Sequence, residues 1–104
     1  MSAPVQGFRI DGIFGQSLTD VMAERVRAVL TFGHDAQADD AGGLHALGAK
    51  ATAFMQIADD RATGGIAARN LPAARKKAVQ AVAIGLAFID SIDREIAREE
   101  GQHG

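Results

Sequence analysis

From Ala78 to Ile89 the only polar side chain is Gln80, so a helix built there is apolar on almost every side for about three turns. Such a segment has to be covered. Leaving side chains such as Ile84, Leu86 and Phe88 in water would forfeit roughly 1.5–3 kcal/mol each. The flanking residues make the helical reading specific. Asn70 suits an N-cap, and Pro72 falls in a first turn, where its missing N–H costs nothing; the spacing predicts a helix from there to Glu99 or Glu100. Within it Ala78, Val82, Gly85, Ile89, Ile92 and Ile96 recur at alternating steps of four and three, the seam of coiled-coil-like packing. Val79, Leu86 and Phe88 form a second stripe beside it.

The rest of the chain offers little cover. Its 104 residues are the size of one domain. Apolar residues make up 47%, but much of that is Ala; aromatics are 5%, with neither Trp nor Tyr. Ala is the best helix former, while strands favour aromatic and β-branched residues, so the class is expected to be all-α with a core of small side chains.

Two shorter helices precede the apolar one. The first is expected from Ser17, a cap with Asp20 three residues on, to a stop at Gly33; Leu18, Val21, Met22, Val26, Val29 and Leu30 supply its apolar face. Gly33 to Gly43 reads as a polar connection in which Asp39 or Asp40 could cap the next helix. That helix spans about Leu44 to Ala62, carries Leu44, Leu47, Ala51, Phe54, Met55 and Ala58 on one face, and stops at Thr63-Gly64-Gly65. Gly48 within that face marks a point of close helix approach. Residues 1–16 hold Pro4, Gly7, Gly12 and Gly15 and are read as an extended arm, with a hairpin turning at Asp11-Gly12 as the alternative.

The expectation is therefore one domain over residues 1–104: an arm (1–16), a three-helix antiparallel core (17–100) and a disordered tail (101–104). Two shorter helices are not expected to cover the third, so the fold is completed by a homo-oligomer. A dimer is the commonest closed form. Its interface is assigned to Val79, Val82, Leu86, Phe88, Ile89, Ile92 and Ile96.

A net charge of −2 gives no overall attraction to nucleic acid or to anionic membrane. The absence of Cys excludes disulfides, thiolate zinc sites and cysteine nucleophiles. Met1 to Gly15 lack the basic start and apolar run of a signal peptide, and no stretch reaches the length of a membrane span; a cytoplasmic location is expected.

Two clusters could carry chemistry. Arg69, Arg75, Lys76 and Lys77 gather at the start of the last helix, where the macrodipole disfavours cations but free N–H groups favour anions. Such a cluster could form an anion site for a nucleotide phosphate or a nucleic-acid backbone; the plainer alternative is that these side chains pair with Asp59, Asp60 or another subunit, or stay solvated. His34, Asp35, Asp39 and Asp40, with His45 beyond, could hold magnesium or manganese, or could serve only as caps. Phosphate-cradling loops, nucleophile elbows and paired-histidine zinc helices are absent from the sequence.

Glu24-Arg25, Gly33-His34, Asp39-Asp40, the Ala-rich face from Leu44 to Ala58, and Leu71 through Ile92-Asp93-Arg94 together resemble the pattern of a group of small uncharacterised helical proteins from phages and prophages of proteobacteria. The resemblance covers about four-fifths of the chain. It departs from the group in lacking the tryptophan-rich segment many members carry before the last helix. It implies an accessory protein of a mobile element, with interaction or anti-defence roles. The expected function is a non-catalytic, oligomeric binding protein without a cofactor, whose partner is a nucleotide or a protein. The alternative is a small helical nucleotide pyrophosphohydrolase using magnesium or manganese held by acids from two helices.

Overall fold

The computed structural model describes residues 13–103, and every regular element among them is a helix. Four follow in order: α1 (Ile13–Phe32), α2 (Ala36–Gly42), α3 (Leu44–Thr63) and α4 (Leu71–His103). The all-α class holds, with one helix more than the expected three. The boundaries also move. Residues 13–16 belong to α1 rather than to an arm, and 101–103 continue α4 rather than forming a tail. Local contacts account for both: Thr19 Oγ1 donates to the Gly15 carbonyl and Gln16 Nε2 to Asp20, while Arg98 reaches back to Glu95 near the end of α4. The arm or hairpin expected over residues 1–12 lies outside the described residues.

Chain punctuation follows the small residues. At the end of α1, Gly33 takes φ 70°, which lets Gly33 N–H donate to Val29, the bond of an αL cap, and His34 N–H donate to Ala28. The Asp35 carboxylate then accepts from Ala38 N–H at 2.9 Å and starts α2. Asp39 and Asp40 therefore do not cap α3: they sit inside α2, and the residue preceding α3 is Gly43. After α3, the Asp60 carboxylate gathers the N–H groups of Ile66 and Ala67, and Asn70 Oδ1 accepts from Ala73 N–H at 3.0 Å to begin α4.

The long helices alternate in direction but do not close into a bundle. α3 lies along α4 as an antiparallel pair, whereas α1 rests on α4 alone and makes no backbone approach to α3. Spacing between α3 and α4 is set at Gly48, where a Cβ would stand 3.2 Å from Cζ of Phe88. The result is flat, 48 × 44 × 24 Å, with a radius of gyration of 16.5 Å. A compact domain of this size would have about 13 Å.

The interior explains that shape. Among the described residues, every buried apolar residue apart from Val21 is an alanine: Ala58, Ala74, Ala81, Ala83 and Ala87. Small side chains let helices approach but remove little surface from water. The Leu, Ile and Met residues stay largely at the surface instead.

α2 is too short to hold itself in place and is tied down electrostatically. Asp40 accepts from Ser91 Oγ at 2.7 Å and from Arg94 Nε and Nη2 at 2.8 and 2.9 Å, and Ser91 is buried. Arg94 and the Ser91 hydroxyl hold the Asp40 carboxyl well below the usual carboxylate range. A group whose pKa is lower folded than unfolded contributes stability above about pH 4, and that contribution is lost as pH falls towards the folded value. Urea melts of the protein and of Asp40→Asn should differ clearly at pH 7, and the difference should narrow steadily as pH is lowered from about 4 towards 2. A gap that stays constant between those pH values would show that the anchor is not ionic.

Candidate functional site

The open angle between α1 and α3, floored by α4 and closed at one end by α2, is a cleft of about 340 Å³. From α1 it takes Glu24, Arg25, Arg27 and Phe32; from α3, Leu47, Lys50 and Phe54; from α4, Lys77, Gln80 and Ile84. His34 and Asp39 complete it at the α2 end.

Its walls are aromatic rings crossed by cations. Lys77 Nζ lies 4.6 Å from the Phe54 ring centre and Lys50 Nζ 6.0 Å from it; on the facing wall the Arg27 guanidinium lies 5.1 Å from the Phe32 ring, whose other neighbour is His34 at 5.9 Å. Arg27 is also paired with Glu24, whose carboxyl is held below its ordinary range by that contact. The end wall is different. Asp39 is 6% exposed, and its Oδ2 has no hydrogen-bond partner among the described residues. The nearest cation, Arg25, stands off at 3.8 Å, beyond hydrogen-bond range. Gln80 Oε1 is likewise buried without a partner. Two buried acceptors lining one cleft is an unusual cost in a folded protein.

The structure divides both sequence clusters. Of the basic group, Lys77 enters the cleft, whereas Arg75 turns to the other side of α4 and pairs with Asp20 at 2.7 Å. Lys76 lies near Glu24, and Arg69 packs its Cβ on the turn at Gly64. Of the acidic group, His34 and Asp39 face the cleft, Asp35 caps α2, and Asp40 is taken by Arg94. Among the described residues no three His, Asp or Glu side chains converge as a metal site would require. The sequence reading overlooked Arg25, Arg27, Lys50, Phe32 and Phe54 as site residues. Lys50 and Phe54 are one helical turn apart, and Gln80 was the single polar residue in an apolar run. Those were the available signals.

The proposed interface residues also divide. Val82, Ile89 and Ile96 are 44%, 53% and 46% exposed along one line of α4, and Val79, Leu86 and Ile92 border that line half-buried. Phe88 belongs to the α3 contact at Gly48 instead, because its position faces that helix rather than the seam. α1 adds a parallel stripe, Leu18, Met22, Val26 and Leu30, each at least half exposed. Met22, Val26, Val29 and Leu30 share an open groove with Leu86 and Asp90, which places both stripes on one side of the molecule. No helix among the described residues is long and apolar enough to cross a membrane. Comparison with protein-family models, with curated proteins and with solved structures yields no match.

Proposed function

We propose that the protein is a non-catalytic binding protein that works as a two-fold dimer, joined through the apolar side formed by α1 and α4. The observation that carries this reading is the pair of uncovered stripes. Seven aliphatic side chains, Leu18, Met22, Val26, Leu30, Val82, Ile89 and Ile96, stand 44–79% exposed on that side. At about 100 Å² apiece they present on the order of 700 Å², close to the ~800 Å² per partner of a standard interface. An apolar patch of that size on a monomer marks an interaction surface.

Two further features favour a second copy as the occupant. Gly85 sits beside the stripe in mid-helix, where a Cβ would meet nothing within 4 Å. A glycine there costs about 1 kcal/mol relative to Ala without any reason inside the protomer. A second helix crossing closely would supply one. Charge is compatible with it: Arg75, whose Nη2 pairs with Asp20 but whose side chain stays 54% exposed, lies towards the start of α4, and the exposed Asp93 lies towards its end. Antiparallel pairing of two α4 helices about a centre near Ile84 sets Arg75 opposite the partner's Asp93. An accessory role in a mobile element rests on the sequence resemblance, and a cytoplasmic location on the sequence reading alone.

Light scattering on the full chain at 10–50 μM is expected to give twice the protomer mass. Gly85→Leu should lower that mass towards a monomer while leaving the helical content intact, because the protomer has room for the side chain. A monomeric wild-type protein at 50 μM would overturn the reading, and so would a Gly85→Leu protein as dimeric as the parent.

A further inference from the structure

We propose that the cleft binds a mononucleotide-type ligand, a phosphate joined to a flat nitrogenous ring. This is independent of self-association: the cleft floor, Lys77, Gln80 and Ile84, lies on the opposite side of α4 from Val82 and Ile89.

A chain of net charge −2 places four cations, Arg25, Arg27, Lys50 and Lys77, in one cleft with only two carboxylates, Glu24 and Asp39. The excess is not evenly spread. Glu24 engages Arg27, and Asp39 faces Arg25, so the positive surplus falls on Lys50 and Lys77 at the α3 and α4 walls. Both ammonium groups lie by the Phe54 ring, at 4.6 Å for Lys77 and 6.0 Å for the exposed Lys50. That fixes where an anionic group would sit.

The rest of the cleft asks for something other than an anion. Asp39 Oδ2 and Gln80 Oε1 are buried acceptors that lack donors, and a phosphate ester in its dianionic form has none to give them. A ring carrying N–H or amino groups does. Phe32 and Phe54 line the same space with flat apolar faces on which such a ring can stack. The volume, about 340 Å³, lies at the small end of the range for small-molecule pockets, roughly 300–1,000 Å³. Phosphate at the lysines, a ring against the phenylalanines and ring donors towards the two unpartnered acceptors use the cationic, aromatic and acceptor features of the cleft together. A bare phosphate and a sugar phosphate can offer hydroxyl donors, but neither has a flat face to stack on the rings.

Calorimetry on the full chain, with the four nucleoside 5′-monophosphates, ribose 5-phosphate and inorganic phosphate as separate probes, tests the proposal. At least one nucleotide should bind ten times or more as tightly as ribose 5-phosphate. Lys77→Glu and, separately, Lys50→Glu should each weaken that nucleotide at least tenfold; Lys50 is exposed, so its replacement leaves the fold intact, and circular dichroism verifies this. Equal affinity for ribose 5-phosphate and the nucleotides would reduce the cleft to a simple anion site and overturn the proposal. No binding of any nucleotide at 1 mM would do so as well, as would a nucleotide affinity unmoved by Lys50→Glu. The mass measured by light scattering is a separate readout, so either proposal can fail without the other.

Discussion

Phe88→Ala is expected to lower the unfolding free energy by about 3 kcal/mol, a value at the lower end for removing a large aromatic from a packed site. The ring stands against Gly48, the one place on the α3 surface where the absence of a Cβ makes room for it. Truncation leaves a gap between the two helices that supply most of the packing, and the neighbours cannot relax into it. Ala87 beside it, like the other buried alanines of α3 and α4, has no rotamers with which to refill space. Against a total stability of the order of 5–15 kcal/mol, that loss is a large fraction. Urea denaturation followed by far-UV circular dichroism at fixed protomer concentration measures it; the concentration must be fixed because any dimer adds a stabilising term. Phe88→Leu, which keeps much of the volume, should cost less than about 1.5 kcal/mol. If Phe88→Ala costs under 1 kcal/mol, the notch at Gly48 is not what holds α3 to α4.

That contact also shows what the sequence could and could not disclose. α3 was expected over 44–62 and runs Leu44–Thr63, and the cap at Asn70 and the stops at Gly33 and Gly64 fall where the residue types put them, because each depends on neighbours only a few positions away. α2 was invisible for the complementary reason. Ala36–Gly42 has no apolar period to read, and what secures it is Asp40 reaching Ser91 and Arg94, partners more than fifty residues distant. Phe88 is expected in the interface, in the stripe with Val79 and Leu86 beside the seam, yet the step of 100° from Ile89 turns it towards α3.

The cleft follows the same logic. It draws residues from all four helices, and neither sequence cluster survives in it whole: Lys77 comes from one, His34 and Asp39 from the other. Clusters in sequence on a helix radiate from its axis, so Arg75 and Lys77, two residues apart, point to opposite sides of α4. What did carry through was the single polar residue in the apolar run. Gln80 is legible in the sequence as that exception but not as a site residue; in the structure its amide lines the cleft with an unpartnered oxygen.

Placing glutamates at Val82 and Ile89 together should raise the dissociation constant of the dimer by a factor of about a thousand or more. In the isolated protomer these positions are 44% and 53% exposed, so a carboxylate there can remain in water and the helix loses little. In a two-fold dimer each substitution appears twice, and four carboxylates would be carried into an apolar contact. Burying an unpaired ion costs several kcal/mol even after relaxation, while a thousandfold change in affinity needs only about 4 kcal/mol. Like charges facing one another across the axis add to the penalty. The double variant should therefore be a folded monomer, with the helical signal of the parent and half its mass by light scattering. The contrast with Phe88→Ala separates the two faces of α4: one substitution should remove stability from the protomer, the other should remove the partner and spare the fold. A double-glutamate protein that remains dimeric places any self-association elsewhere on the molecule, and one that fails to fold would mean that Val82 and Ile89 are covered within the protomer after all.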